Sequence, residues 1–189
     1  VPTPPTRSTV DKPRVVYVHG NRTMRWSTAW APWLRDELAA LGFETVFETF
    51  PDSIAARREY WLPFLRDHLA VGEDDVLLGW SSGAVAALRH LEEHRLRGAV
   101  LVSPYTSLDD ELERASGYFD QPWNWEAIRA NAGSAAVFWG SDDPFIPREQ
   151  FTFVVDALDA TSFEILGGGH FEHRTEFPEL LEYLRTTYS

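Results

Sequence analysis

The sequence predicts an α/β fold: one doubly wound, mostly parallel six-stranded sheet with helices on both faces. Three observations carry this expectation. Short apolar runs alternate with helical patterns along the chain. Most of those runs are apolar at every position, as in strands buried on both faces. One run also ends in Gly79-Trp80-Ser81-Ser82-Gly83 directly before an Ala-rich helix, a sharp strand-to-helix junction.

The elements follow in order. Arg14 to Val18 is the first strand, ending at His19-Gly20-Asn21. Trp30, Trp33, Leu34, Leu38 and Leu41 recur at helical spacing across 27–41, and Gly42 closes that helix. Phe43 to Phe47 is a short strand. A helix is expected over 54–71, with Ser53 as its N-cap and Pro63 bending or interrupting it. Val76 to Gly79 is a strand and Ala84 to His94 a helix; Ala99 to Val102 is the next strand. Residues 107–131 form a polar excursion with short helical patches and the cluster Trp123-Asn124-Trp125. A strand over 135–139, a helix over 147–158, a strand over 162–166 and a helix over 176–188 complete the chain. Val1 to Pro13, rich in Pro and Thr and without an apolar stretch, reads as a disordered tail rather than a signal peptide. Residues 14–189 read as the folded domain.

The bulk numbers narrow the function. A chain of 189 residues, 44% hydrophobic and 24% charged, can bury a sizeable core without staples. With 0 Cys it holds no disulfide, no thiolate metal site and no cysteine nucleophile. A net charge of -12 excludes a nucleic-acid footprint. No apolar run approaches the roughly 20 residues that cross a bilayer, so no membrane partner is expected and a cytoplasmic location is the default. The loop after the first strand lacks G-x-G-x-x-G spacing, so no dinucleotide cofactor is expected, and no metal.

The chemistry centres on G-x-S-x-G. The flanking glycines fit because a β-carbon at either one would crowd a neighbouring element, and the strained turn pushes the serine hydroxyl out at the carboxyl rim of the sheet. Spacing favours Ser81 over Ser82 as nucleophile. The N–H of Ser82 then lies at a helix N-terminus, suited to an oxyanion. A second donor is expected from the loop after the first strand, from Asn21 or Arg22. His19, in that loop, reads as a structural brace. In such folds an acid and then a histidine follow the serine. His90 and His94 fall within the helix after the junction and read as solvated. His170, after three glycines and a strand, is the candidate base, with His173 as the fallback. Asp143 and Asp142 compete for the acid at the end of another apolar strand; Asp143, before Pro144, is favoured.

Several motifs in register then make the chain resemble the small serine hydrolases of the retinoblastoma-binding protein nine family, also called YdeN-like α/β hydrolases. They are Gly79-Trp80-Ser81-Ser82-Gly83-Ala84, Leu101-Val102-Ser103-Pro104-Tyr105-Thr106-Ser107 and Glu113-Arg114-Ala115-Ser116-Gly117-Tyr118-Phe119. Trp61-Leu62-Pro63-Phe64, Pro122-Trp123-Asn124-Trp125, Asp142-Asp143-Pro144-Phe145 and Gly169-His170-Phe171 join them. The resemblance implies a minimal α/β-hydrolase without a large cap domain, a triad on Ser81, Asp143 and His170, and ester hydrolysis through an acyl-enzyme with no cofactor. The chain departs from the family at three points. Trp80 stands where the family usually has His. The loop Gly20-Asn21-Arg22-Thr23-Met24 lacks the family's run of glycines. The absence of Cys removes the peptide motif behind the family's partner contact.

The expected activity is cleavage of small carboxylic esters. The same triad would also serve a lactonase, a thioesterase or a cyclising acyltransferase; a non-catalytic binding module is the reading from another class. Arg22, Trp80, Trp123 and Trp125 are the candidate substrate contacts, and Arg22 suggests an acid-bearing or polar substrate.

Overall fold

Strand β1 (Arg14–Val18) is apolar from Val15 onward and buried there on both faces. In the computed structural model, which describes residues 12–189, it lies second in a six-stranded sheet. Of the tail expected over 1–13, all but Lys12 and Pro13 lies outside the described residues.

The sheet order is β2-β1-β3-β4-β5-β6, with β2 at Glu44–Phe47, β3 at Asp75–Trp80, β4 at Gly98–Val102, β5 at Ser134–Gly140 and β6 at Thr161–Ile165. Every pairing is parallel. Alternate side chains therefore enter opposite layers, as a pleat of period two requires. Val15, Tyr17, Val76, Leu78, Val100, Val102 and Phe138 pack beneath α1 (Ala31–Ala40) and α7 (Pro178–Tyr188). Val16, Val18, Leu77, Ala99, Leu101, Val137 and Trp139 face the other layer. That layer holds α2 (Arg58–Pro63), α3 (Ser82–Leu91), α5 (Trp125–Asn131) and α6 (Arg148–Leu158). One further short helix, α4 (Glu111–Ala115), lies in the excursion between β4 and β5.

Three elements differ from the sequence expectation. Helix α1 begins at Ala31 rather than near residue 27, because Ala29 sits at φ +51°, outside right-handed helical space. The helix expected from Ser53 starts only at Arg58: Asp52 and Ala56 both have positive φ, and Ser53 caps nothing. Pro63 then has no N–H to close onto the turn before it. The chain beyond it widens into a π-helical turn over Phe64–His68, with Leu69 N–H donating to the Phe64 carbonyl. Finally, α3 is buried along its whole length, including Arg89 and His90, so His90 is not a solvated residue. Arg89 is satisfied there by the carbonyls of Tyr118, Gln121 and Pro122 and by Glu92.

The order places β2 on one side of β1 and β3 on the other. That reversal opens a crevice at the carboxyl ends of β1 and β3, the usual ligand position in open α/β sheets. Val18 is level with Gly79 in the register, so the chain leaves both strands at the same rim.

Candidate active site

Ser81 leaves β3 with φ +57° and ψ -119°, a strained backbone for a residue with a β-carbon. Packing on both sides enforces the turn. A Cβ on Gly79 would stand 2.4 Å from the Gly83 carbonyl oxygen, and one on Gly83 would stand 2.1 Å from that of Val18. Ser81 N–H donates to the Val102 carbonyl at 2.8 Å, pinning the turn to β4. The hydroxyl thus faces a cavity of about 500 Å³.

His170 Nε2 lies 3.0 Å from Ser81 Oγ, and Nδ1 lies 2.8 Å from Asp143 Oδ2. The other Asp143 oxygen accepts from the N–H groups of Phe145 at 2.9 Å and Ile146 at 3.1 Å, so the carboxylate cannot swing. Its side chain is buried, whereas His170 keeps 11% exposure toward the cavity. Asp142 does different work: it accepts from Gly169 N–H at 2.8 Å and holds the glycine-rich loop that carries His170. Close approach sets that loop's sequence, since a Cβ on Gly140 would meet the Gly169 carbonyl oxygen at 2.1 Å. His173 points to solvent beside Glu172. Of the competing residues, the fold brings Ser81, Asp143 and His170 into one row.

Ser82 N–H and Gly83 N–H are the first donors of α3, without carbonyl partners inside the helix. Across the cavity, the loop after β1 passes close: a Cβ on Gly20 would touch that of Ser81 at 3.5 Å. Buried His19 braces this loop, accepting from Phe50 N–H at 3.0 Å through Nε2, while Nδ1 lies 2.7 Å from the Gly20 carbonyl. Burial lowers the pKa of this imidazole. Of the two loop donors expected from sequence, the Arg22 N–H is committed to the Ile54 carbonyl at 3.0 Å.

Arg22 and Trp80 both line the cavity, Trp123 and Trp125 do not. The Arg22 guanidinium is turned to Asp110 at 2.7 Å, so its charge is already countered. Trp80 is nearly buried and donates from Nε1 to the His170 carbonyl at 3.1 Å, which supports the His170 backbone from below. Trp123 and Trp125 stack on each other away from the crevice; Trp123 donates to the Thr106 carbonyl and covers the Arg89 guanidinium. Sequence reasoning missed Phe145, whose half-exposed ring meets His170 edge-on at 5.2 Å, and the buried pair Tyr105 and Glu113. The spacing Asp110-x-x-Glu113 was the available signal. Asp110 accepts from the N–H groups of Leu112 and Glu113 as an N-cap should, which starts α4 and fixes Glu113 at the cavity wall.

A family model described as "Serine hydrolase" matches residues 15–186. The chain belongs to this serine hydrolase family. Serine hydrolase RBBP9 of Rattus norvegicus is 42% identical over 176 residues, covering 92% of this chain and 94% of that protein. The crystal structure of the ydeN gene product of Bacillus subtilis superposes with a TM-score of 0.82 at 29% identity, over 92% of this chain and 97% of the other. Esterase RhEst1 of Rhodococcus sp. ECU1013 shares the fold at 18% identity, with a TM-score of 0.66 over 94% of this chain and 92% of that one. The family's sheet core thus stands here without a large cap, as a serine hydrolase of the α/β-hydrolase type.

Proposed function

We propose that the protein hydrolyses small carboxylic esters through an acyl-enzyme on Ser81, with His170 as general base and acid and Asp143 orienting it. The observation that carries this reading is the unbroken row from Ser81 Oγ through both His170 nitrogens to Asp143, at 3.0 and 2.8 Å. Ser81 Oγ attacks the ester carbonyl carbon while its proton passes to His170 Nε2. The carbonyl π pair moves onto oxygen, where Ser82 N–H and Asn21 N–H stabilise it. Asp143 accepts from Nδ1–H throughout and favours the imidazolium. The tetrahedral intermediate collapses, the C–O bond to the alcohol breaks, and His170 returns the proton to the leaving oxygen. Water repeats the sequence on the acyl-enzyme, releasing the acid and restoring the Ser81 hydroxyl.

The cavity wall bears on the substrate. Among the described residues that line it, Asp110, Glu113 and Glu172 are the acids, and Arg22, the one arginine or lysine, is paired. This balance disfavours an acid-bearing substrate, contrary to what Arg22 suggests in sequence. The exposed ring of Phe145 and the Trp80 ring favour a neutral, apolar acyl group. Among the described residues no helix is long and apolar enough to cross a membrane. The test is turnover of p-nitrophenyl acetate with intact-mass analysis after fluorophosphonate treatment. Wild type should turn over and carry one phosphonyl group, and Ser81→Ala should do neither. Unchanged turnover in Ser81→Ala overturns the proposal, and an unlabelled, inactive wild type would favour a non-catalytic binding module.

A further inference from the structure

Glu113 is an acid that the proposed mechanism does not use. It is 4% exposed, burial raises its pKa, and no cation forms an ion pair with it among the described residues. A carboxyl group so placed is unfavourable unless hydrogen bonds compensate it. Two do. Asn21 Nδ2 donates to Oε1 at 2.6 Å, and the Tyr105 hydroxyl bonds the same carboxyl group. The Tyr105 oxygen lies in turn 3.0 Å from Ser82 Oγ. When Glu113 is ionised it can only accept, and the protons then run one way: Ser82 O–H to Tyr105, Tyr105 O–H to Glu113, and Asn21 N–H to Glu113. Ser82, Tyr105 and Glu113 are all buried, so water does not compete for these bonds.

The two ends of this chain are the residues whose backbone N–H groups face the oxyanion in the proposed mechanism. We infer that Tyr105 and Glu113 are positioning residues that fix the Ser82 and Asn21 donors relative to each other. The inference rests on the hydrolase reading and deepens it. The loop needs such a tether. Arg22 sits at φ +59°, and a second bond from its guanidinium to Asp110 docks the loop on the same short helix. Helix α4 therefore clamps the loop that completes the oxyanion site, although no residue of α4 touches the reacting atoms in that mechanism. Preorganised donors stabilise a developing oxyanion only if they are held before it forms.

The experiment compares Tyr105→Phe, Glu113→Gln and Asn21→Ala with wild type. Asn21→Ala keeps its backbone N–H and changes a half-buried site, so it reports on the tether even where a core variant fails to fold. The readouts are kcat and KM on p-nitrophenyl acetate, Ki for phenylboronic acid, whose Ser81 adduct is tetrahedral, and Tm. Losing a donor outright costs about 10²- to 10³-fold in kcat, so loosening one should cost about tenfold. KM should stay within about twofold and the boronate Ki should rise by the same factor as kcat falls. The double variant Asn21→Ala/Glu113→Gln should lose no more than the worse single one, because both cut one chain. Variants that melt earlier yet keep kcat and Ki within about twofold of wild type below their Tm would overturn the inference. A wild type whose turnover survives Ser81→Ala would instead mark failure of the hydrolase reading, and this inference would fall with it.

Discussion

Replacing Asp143 by Asn tests the row at its least exposed member, and the structure dictates how the new amide must sit. Asp143 Oδ1 accepts two backbone N–H groups, from Phe145 and Ile146, while Oδ2 faces His170 Nδ1. An amide with its NH2 toward those backbone donors would leave two N–H groups facing hydrogen atoms. Each such loss costs about 1–3 kcal/mol, or roughly 2–6 kcal/mol together. The opposite orientation keeps both backbone bonds and presents NH2 to Nδ1. Nδ1 must then accept, the ring proton moves to Nε2, and Nε2 donates to Ser81 Oγ. Every bond of the row is made and its direction is reversed, so His170 cannot take the serine proton. The expected loss is about 10⁴-fold in kcat, near 5 kcal/mol of transition-state stabilisation, with KM and Tm little changed. Steady-state hydrolysis of p-nitrophenyl acetate measures the loss, and imidazole nitrogen chemical shifts report the tautomer. A variant within about tenfold of wild type would refute the reasoning, as would a ring that still carries its proton on Nδ1.

Other substitutions probe the frame around that row. Gly83→Ala drives a methyl group against the Val18 carbonyl and should destabilise the protein by about 3 kcal/mol or more in a thermal melt. Gly72→Ala, with nothing within 4 Å, should leave Tm nearly unchanged; equal melts for the two would discredit the packing argument. Trp80→Phe removes the donor to the His170 carbonyl and should cost about 1 kcal/mol in stability and a few-fold in kcat. For His90, burial first, and His94 second, lower the pKa from 6.5 to about 4. Its stabilising contribution is therefore complete above pH 6.5 and is lost as pH falls toward 4. The difference amounts to roughly 3 kcal/mol by linkage. Urea melts of wild type and His90→Gln should converge by that amount between pH 7 and pH 4, and parallel pH profiles would count against a neutral buried ring.

What the sequence discloses and what it hides divide along one physical line. Strands buried on both faces must be apolar at every position, so β3, β4 and the core of β5 are legible to within about a residue. The elbow is legible because close backbone approach leaves Gly as the only tenant at Gly79 and Gly83. Signals set by tertiary surroundings mislead. Arg89 and His90 carry the polarity of a solvated helix face, yet α3 is covered on its far side by α2 and α5. Ser53 has the chemistry of a cap, but positive φ at Asp52 and Ala56 bends the chain away from a helix there. Arg22 reads as a free cation and is half of an ion pair with a residue 88 positions along the chain.

The same line explains how the loop after β1 works without the glycines that its family resemblance leads one to expect. A glycine-rich loop reaches an unusual backbone path through its own freedom, and it surrenders more entropy on ordering. Here the path at Arg22 is left-handed, and contacts from outside the loop impose it: the Ile54 carbonyl on the Arg22 N–H, Asp110 on the guanidinium, Glu113 on the Asn21 amide. Conformational freedom has been exchanged for hydrogen bonds supplied by the excursion between β4 and β5. Asp110 and Glu113 on that excursion thus belong with the loop of β1, although their own neighbourhood of the sequence signals only the cap that starts α4. A loop held by partners is as stiff as those partners, so variation in α4 should tune donor geometry at the crevice while Ser81, His170 and Asp143 stay unchanged.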